Sequence, residues 1–352
     1  MNKPAISIVL PTHNGRRFID QSIKSVVNQT CQDWEMIIVN DASTDATPLR
    51  IDWWTKQDAR ILAVHLAQNR TLPGALNDGF ARARGDLHTW TSDDNWYHPE
   101  ALRRMREVLE SEKDVAIVYA DSTRVNEFGQ PRGVGCREHI PVERLYEGCG
   151  VGACFLYRAQ VTAALGGYDE NLFGAEDYDF WLRASLQFRF RWLPENLYFY
   201  RAHGATISST RYHSNARNVE KAVRRWIPLV RWPDDVTRSQ AHIEWGVRCL
   251  RAGVWEEVYE PWLRESDWLT GDSRNRIRRE VLKRASSLAW EAYFRRDWED
   301  FARYKMYLSE VRDDPHAARL LSKTLYPQWA YAVKDKLYRA WHRLLSVEFP
   351  RR

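Results

Sequence analysis

Two pairs of neighbouring acidic residues are the part of this sequence best suited to chemistry. Asp93 and Asp94 stand in the stretch HTWTSDDNWYHPEAL, residues 88–102, where an apolar, strand-like run stops. Adjacent carboxylates repel each other unless a cation lies between them and a ligand. A hard divalent cation held by carboxylate oxygens can in turn bind the oxygens of a diphosphate. The alternative is structural, because acids in this turn favour the start of the helix that Pro99 begins.

The second acidic group opens a predicted helix in the stretch GAEDYDFWLR. Glu176, Asp177 and Asp179 fall in the first turn of that helix. Acids at this end of a helix complement the helix dipole, so the local pattern by itself favours a structural role.

The first 120 residues alternate between short apolar runs and amphipathic segments. Short apolar runs bounded by turn residues predict strands, and segments of about ten residues with one apolar face predict helices. The predicted strands are residues 5–10, 35–40, 60–66, 86–90 and 115–120, and the predicted helices are residues 17–28, 46–57, 74–83 and 99–110. This alternation is typical of βαβ units. We therefore expect an α/β fold with a doubly wound, mostly parallel, Rossmann-like sheet covered on both faces.

Polar segments follow three of the predicted strands. PTHNG follows the first strand, NDASTD the second and TSDDN the fourth. The carboxyl ends of parallel strands meet at one edge of the sheet, where open sheets bind ligands. None of these segments has the GxGxxG or GxxxxGK[ST] spacing of a glycine-rich phosphate loop. An edge that carries acids instead predicts that a metal ion helps to hold phosphate.

Composition limits the class of protein. The 352 residues are 44% hydrophobic, which suffices for one large core or two modest ones. No apolar run approaches the roughly 18–20 residues of a membrane span, and the first residues lack the pattern of a signal peptide. Five cysteines without a CxxC spacing fit reduced thiols. We therefore expect a cytoplasmic protein.

Charge and tryptophan are distributed unevenly along the chain. Residues 213–352 hold 28 Lys and Arg against 20 Asp and Glu, and ten of the 17 tryptophans, whereas the net charge of the whole chain is +5. This change predicts an α/β domain at 1–212 and a helical domain at 213–352. The excess of basic residues is spread along this segment, and no recognised nucleic-acid-binding motif accompanies it. We therefore do not expect nucleic-acid binding.

Five motifs, taken in order, resemble those of the family 2 glycosyltransferases, which have the nucleotide-binding GT-A fold. They are SIVLPTHNG, IIVNDASTDAT, TSDDNWYHPEAL, GGYDENLFGAEDYDFWLR and YFYRAHGATIS, and they extend from residue 5 to about residue 210. Each motif is weak alone, but five in the family's order and at family-like separations are specific. The resemblance implies an inverting transferase that moves a sugar from a nucleotide diphosphate donor, by default a UDP-sugar. The acceptor would be a hydroxyl of a glycan or lipid-linked glycan, as in bacterial polysaccharide synthesis, and the cofactor Mn²⁺ or Mg²⁺.

The resemblance also implies roles for individual residues. Asp94 and His203 would hold the metal ion, although His203 could instead be an ordinary loop histidine. Asp177 would be the general base and Glu176 a supporting acceptor contact. Trp181, on the same predicted helix, would either stack on an acceptor sugar or belong to the core. The implied nucleotide contacts are Pro11, Thr12, His13, Asn14, Asp41, Arg70 and Asp93.

The chain departs from the family's pattern at three positions. Many relatives have Asp where this sequence has Thr91 and Asn40, and Gly where it has Ala42. The metal motif is kept, whereas the nucleotide contacts are expected to differ. Two other functions stay open: a metal-dependent nucleotidyltransferase, for which PTHNGRRF is a poor nucleotide loop, and a non-catalytic nucleotide-sugar-binding module.

Beyond residue 212 only pattern remains. Residues 242–263 and 287–308 are similar in sequence, with tryptophans around a Gly or Asp turn. They indicate either two helical hairpins or a plain helical appendage that packs on the catalytic domain. In residues 326–352, apolar and Trp residues at helical spacing accompany six Lys and Arg. A basic amphipathic helix of this kind lies on an anionic membrane, here its inner face, or docks on its own protein or on a partner in a homo-oligomer.

Overall fold

The structure is a computed structural model that describes residues 3–135, 145, 148–204, 212–267, 269–295, 297–308 and 310. The strands in this part of the chain are β1 (Ile6–Thr12), β2 (Trp34–Asn40), β3 (Ile61–His65), β4 (Leu87–Trp90), β5 (Trp96–Tyr97), β6 (Val115–Val125), β7 (Pro131–Gly135), β8 (Phe155–Arg158) and β9 (Arg189–Arg201).

Helices follow most of the strands, and helices alone make up the described part of the chain after β9. Their bounds are α1 (Ile19–Val27), α2 (Thr47–Gln57), α3 (Thr71–Phe80), α4 (Ala101–Ser111), α5 (Ala159–Leu165), α6 (Glu176–Ser185), α7 (Tyr212–Trp226), α8 (Asp235–Ala252), α9 (Glu260–Glu265), α10 (Gly271–Arg295) and α11 (Trp298–Leu308). Every strand and helix predicted for the first 120 residues is present, with bounds shifted by a few residues.

The central strands are buried on both faces, as expected of a sheet covered by helices. All seven residues of β1 and all seven of β2 are buried. Successive side chains of a strand point to opposite faces, and β1 shows this directly. Ile6, Ile8 and Leu10 belong to one apolar cluster, which includes the buried faces of α1 and α4, whereas Val9 belongs to the other, which includes α3 and α6.

The sheet is rich in parallel strands but is not purely parallel. Its order is β3-β2-β1-β4-β8-β6-β9-β5, and β7 pairs with the last residues of β6, from Ser122 to Val125. The pairs β1/β2, β1/β4, β2/β3 and β6/β9 are parallel. The short strand β8 lies between β4 and β6 and is antiparallel to both. The predicted α/β class is confirmed, but the fifth predicted strand joins the sheet through β8 and is not a neighbour of β4.

The described residues form two compact units, one that ends at Ala241 and one that begins at His242. In the first unit, α7 packs against α6, where the Trp226 indole N–H donates to the Ser185 hydroxyl at 3.2 Å. The boundary predicted at residue 212 rests on composition and stays a prediction. Within the parts of the chain that are described, no helix is both long and apolar enough to cross a membrane.

The helical hairpins predicted for the second unit are confirmed. Tyr259 lies beyond the turn at Gly253 and donates from its hydroxyl to the His242 carbonyl at 2.9 Å. Its ring also packs on Trp245, with ring centroids 5.0 Å apart. Helices α10 and α11 form the second hairpin. The basic segment 326–352 lies outside the described residues.

Candidate active site

Three strand ends meet at one edge of the sheet. The main-chain N–H of Asp41, just after β2, donates to the carbonyl of Thr12 at the end of β1, at 2.8 Å. The Thr12 hydroxyl donates to the carboxylate of Asp93, which follows β4. The polar segments after the first, second and fourth predicted strands therefore lie together, as the parallel arrangement required.

The turn after β1 leaves no room for a side chain at Gly15. A Cβ atom built there would lie 2.0 Å from Asp93 Oδ2 and 2.4 Å from Thr12 Oγ1. Its neighbour Asn14 has φ of 59° and accepts a hydrogen bond from the main-chain N–H of Thr44 at 2.8 Å. The turn is thereby tied to the segment after β2. Gly15 ends the PTHNG segment, and its close approach to Asp93 appears only in the folded structure.

Asp41 is the centre of a second set of contacts. Its main-chain oxygen lies 2.7 Å from His13 Nδ1, and its carboxylate accepts the main-chain N–H of Arg70 at 2.6 Å. Burial raises the pKa of this carboxyl. The Arg70 guanidinium contacts Asp78 at 2.7 Å and Glu170 at 2.8 Å. Arg70 therefore reaches Asp41 through its main chain, while its side chain joins two acids outside the predicted site.

The metal-motif acids differ in their surroundings. Burial, with a contribution from the neighbouring Asp94 charge, raises the pKa of Asp93 to about 7. Asp94 Oδ2 lies 2.9 Å from His203 Nε2, and the His203 ring packs on Phe18 with ring centroids 5.3 Å apart. The two predicted metal ligands, which are 109 positions apart in sequence, are thus in contact.

These residues suit a metal ion that is coordinated mainly by phosphate oxygens and water. Among the described residues, no group of three or more His, Cys, Asp or Glu could hold a metal ion by itself. Mg²⁺ in nucleotide enzymes is usually held by one or two protein carboxylates together with phosphate oxygens and water. Asp94 and His203 fit that smaller contribution, because their donor atoms already converge.

The three departures from the family's pattern are all built into contacts of this protein. The Thr91 hydroxyl lies 2.7 Å from the Tyr198 hydroxyl. The Asn40 side chain contacts His65 Nδ1 at 3.0 Å and accepts the main-chain N–H of Ser43 at 3.1 Å. Ala42 has φ of 55°, a left-handed conformation that glycine adopts without strain.

The second acidic pair lies at the first turn of α6. Glu176 is buried, and its carboxylate accepts the main-chain N–H of Gly174 at 2.6 Å. Burial, together with the adjacent Asp177 charge, raises the pKa of Glu176 to about 8. Asp177 is half-buried and accepts the main-chain N–H of Tyr178 at 2.7 Å. Glu176 is therefore shielded from water and favours its neutral form, whereas Asp177 reaches the surface.

The third acid of this turn and the tryptophan that follows it have structural surroundings. Asp179 is buried and pairs with Arg183 at 2.7 Å. Trp181 is completely buried, with ring contacts to Phe155 at 4.8 Å and Tyr157 at 5.9 Å. Its ring has no exposed face in this structure, which favours the core role over the suggested stacking on an acceptor sugar.

Residues 7–166 match the family model described as Glycosyl transferase family 2. The chain is 30% identical over 223 residues to a Bacillus subtilis (strain 168) protein named putative glycosyltransferase EpsH, a match covering 59% of this chain and 63% of EpsH. It is 31% identical over 129 residues to the same organism's putative teichuronic acid biosynthesis glycosyltransferase TuaG, covering 37% and 51% of the two chains. The chain thus spans less than two thirds of the length of either relative. These matches confirm the predicted resemblance to the family 2 glycosyltransferases.

Solved structures of low sequence identity share the fold. The crystal structure of S. aureus TarS 1-349 in complex with UDP-GlcNAc is similar with a TM-score of 0.59 at 15% identity, covering 88% of this chain and 92% of that one. The mannosyltransferase PcManGT from Pyrobaculum calidifontis, in complex with GDP-Man and Mn2+, is similar with a TM-score of 0.55 at 15% identity, covering 89% and 87%. These likenesses confirm the predicted fold class.

Proposed function

We propose that this protein is a metal-dependent, inverting glycosyltransferase of polysaccharide synthesis. It would transfer a sugar from a nucleotide diphosphate, UDP by default, to a hydroxyl of a glycan or lipid-linked glycan. The observation that carries the proposal is the acidic cluster at the sheet edge, where Thr12 contacts Asp93 and His203 contacts Asp94. The family match and the nucleotide sugars bound by TarS and PcManGT support it.

The donor nucleotide would lie along the ends of β1 and β2. The Asp41 carboxylate accepts the main-chain N–H of Arg70, and it would also accept a hydrogen bond from the base or ribose. The turn residues after β1 would contact the base, and Asp93 would face the ribose or a metal-bound water. The proposed donor contacts are Pro11, Thr12, His13, Asn14, Asp41, Arg70 and Asp93.

Asp94 and His203 would hold Mn²⁺ or Mg²⁺ together with the diphosphate. Bound there, the cation would supply Lewis-acid stabilisation of the departing diphosphate. The protein's own contribution is to bring a carboxylate and an imidazole together, with Asp94 Oδ2 and His203 Nε2 2.9 Å apart. That preorganisation lowers the cost of assembling the site.

The acceptor would be activated by the pair on α6. Asp177, which is half-buried, would accept the proton of the attacking hydroxyl as general base. Glu176, whose pKa of about 8 keeps it mostly protonated at neutral pH, would donate a hydrogen bond to the acceptor. Attack from the face opposite the diphosphate inverts the anomeric carbon in one step.

The experiment that tests this function is a screen of UDP- and GDP-sugars with Mn²⁺ or Mg²⁺, scored by release of nucleoside diphosphate. Metal-dependent release with formation of a glycoside supports the proposal. Release of pyrophosphate would instead identify a nucleotidyltransferase. Binding of nucleotide sugars without release, with every metal and acceptor tried, would identify a non-catalytic binding module.

The proposed location is the cytoplasmic face of a membrane, where lipid-linked acceptors are found. It rests on the basic amphipathic pattern of residues 326–352. Deleting this segment should reduce flotation with anionic liposomes while hydrolysis of soluble donor survives. Unchanged flotation, or protein that becomes insoluble, would instead favour docking of the segment on its own chain or within a homo-oligomer.

A further inference from the structure

Arg201, the last residue of β9, is a buried cation beside the metal-motif loop. It is only 2% exposed. Removing a guanidinium from water carries a large penalty unless every donor finds a partner. Burial also lowers the pKa of Arg201. A charge held at this cost indicates that its surroundings depend on it.

The donors of Arg201 join three separate segments of the chain. Its Nε donates to the main-chain oxygen of Asp94 at 2.9 Å, and its Nη1 to the main-chain oxygen of Glu127 at 2.5 Å. Its Nη2 donates to Oε1 of Gln21 at 2.6 Å. Its own main-chain N–H donates to Oδ1 of Asn95 at 2.8 Å. The planar guanidinium fork thus fixes the direction of the chain at Asp94, while the main chain of Arg201 holds the Asn95 side chain.

Two aromatic rings hold the guanidinium in place. Its central carbon lies 4.3 Å from the ring centroid of Phe18 and 4.7 Å from that of Trp96. Trp96 is stacked in turn on Phe199, with ring centroids 5.0 Å apart. Cation–π contacts of this kind strengthen when they are shielded from water. The fork therefore has little freedom to rotate away from Asp94.

Asp94 is consequently held at two points by residues two positions apart. Arg201 holds its main-chain oxygen, and His203 contacts its carboxylate. We propose that Arg201 is a positioning residue that sets the orientation of the Asp94 carboxylate for binding of a divalent cation with nucleoside diphosphate. The inference rests on the proposed function and adds to it a residue outside the implied contacts.

The test compares substitutions at Arg201 with one at a neighbouring arginine. Arg17 also lies over the Phe18 ring, at 4.7 Å, and pairs with Glu127, but its side chain is 60% exposed and its hydrogen bond goes to the Glu127 carboxylate. Arg17→Met is therefore the matched control. Arg201→Lys keeps the charge but loses the fork, and Arg201→Met loses both.

Calorimetry of UDP binding, with Mn²⁺ and with EDTA, gives the first readout. Both Arg201 variants should weaken Mn²⁺-dependent UDP binding by about tenfold, the effect of losing a hydrogen bond from a charged donor. Affinity in EDTA should stay within about twofold, and Arg17→Met should match the unchanged protein. Equal loss with and without metal, or full affinity in Arg201→Lys, would overturn the proposal.

A milder variant covers the case in which the Arg201 substitutions do not fold. Gln21 is exposed, and Gln21→Leu removes one partner of the fork while keeping the arginine. It should weaken Mn²⁺-dependent UDP binding by about threefold, the lower range for such a bond. A Gln21→Leu protein with unchanged affinity would count against positioning by the fork.

Hydrogen exchange of the protein alone separates this inference from the proposed function. Main-chain amides of residues 92–97 should exchange faster in Arg201→Lys and Gln21→Leu than in Arg17→Met, whether or not the protein transfers sugar. Equal exchange in all three would overturn the positioning role. Faster exchange in a protein that binds no UDP with Mn²⁺ would overturn the proposed function and leave the fork as a structural brace.

Discussion

The two acidic pairs are chemically alike but are held in opposite ways. In each pair, burial and the neighbouring charge raise the pKa of one carboxyl, to about 7 for Asp93 and about 8 for Glu176. The pair after β4 is held by side chains from distant segments, through Thr12 and His203. The pair on α6 is held by main-chain N–H groups of its own turn.

This difference matches two different tasks. An imidazole beside Asp94 places a second metal-type ligand where a cation could neutralise the adjacent acids. On α6, burial and the adjacent Asp177 charge raise the pKa of Glu176, so this carboxyl favours its neutral form. In the proposed function, these surroundings would make the first pair a cation site and the second an acid–base site. The following predictions test that division.

The largest expected effect is at Asp177. Asp177→Asn keeps the size of the side chain but cannot take a proton, so transfer should fall by roughly 10²–10⁴-fold. UDP affinity should stay nearly intact, because the residue faces the acceptor. The control is Asp179→Asn, which lies in the same turn and should mainly lower stability by freeing Arg183. Normal turnover of Asp177→Asn with saturating donor would show that another group is the base.

Asp94→Asn tests the cation side of the comparison. Loss of a charged metal ligand should weaken Mn²⁺-dependent UDP binding by about 100-fold or more. Loss of a residue that only hydrogen-bonds to a metal ligand usually has a smaller effect. Sugar transfer should fall by about the same 100-fold, because the departing diphosphate would lose its cation. Calorimetry in Mn²⁺ and in EDTA measures the effect. If the unchanged protein binds UDP equally well in both, the assignment of Asp94 as a metal ligand is wrong.

Glu176→Gln tests whether the α6 pair keeps a proton. The pKa of Glu176 is about 8 in the folded protein, above the value of about 4.3 expected when unfolded. The folded state therefore binds more protons between these values, and the free energy of unfolding falls as pH rises from about 4.5 to 8. Glu176→Gln should lessen this fall by up to a few kcal/mol.

Urea unfolding at pH 5 and pH 8 measures the effect. Glu195→Gln is the control, because hydrogen bonds from Arg104 lower the pKa of Glu195, so this carboxyl adds almost no change in stability between pH 5 and pH 8. If the free energy of unfolding falls by the same amount from pH 5 to pH 8 in Glu176→Gln and in the unchanged protein, Glu176 is ionised in the folded state.

The smallest expected effect concerns Ala42, on the donor side. With φ of 55°, Ala42 has a conformation that costs an L-residue about 1–2 kcal/mol. Ala42→Gly relieves that strain but adds freedom to the unfolded chain, so it should raise the free energy of unfolding by about 0.5–1 kcal/mol. Ala75→Gly, within α3, should instead lower it by about 1 kcal/mol. A less stable Ala42→Gly protein would show that the alanine methyl makes a stabilising contact.

The sequence by itself determined the alternating strands and helices and the acids at their ends. Apolar runs such as Ile6–Thr12 and Trp34–Asn40 are local signals, since a strand buried on both faces must be apolar throughout. Parallel strands then placed Thr12, Asp41 and Asp93 at one edge. The acids of α6 could also be predicted from the sequence, because a few neighbouring residues indicate where a helix starts.

Tertiary structure alone decided what surrounds those acids. The insertion of β8 between β4 and β6, the burial of Trp181, the contact that makes Gly15 obligatory and the bracing of Asp94 by Arg201 all join distant segments. Arg201 lies in the quoted stretch YFYRAHGATIS, yet its neighbours are 74 to 180 positions away in sequence. Periodicity and motif spacing describe residues that are near one another along the chain. The energy of a buried charge depends instead on whichever segments the completed fold brings around it.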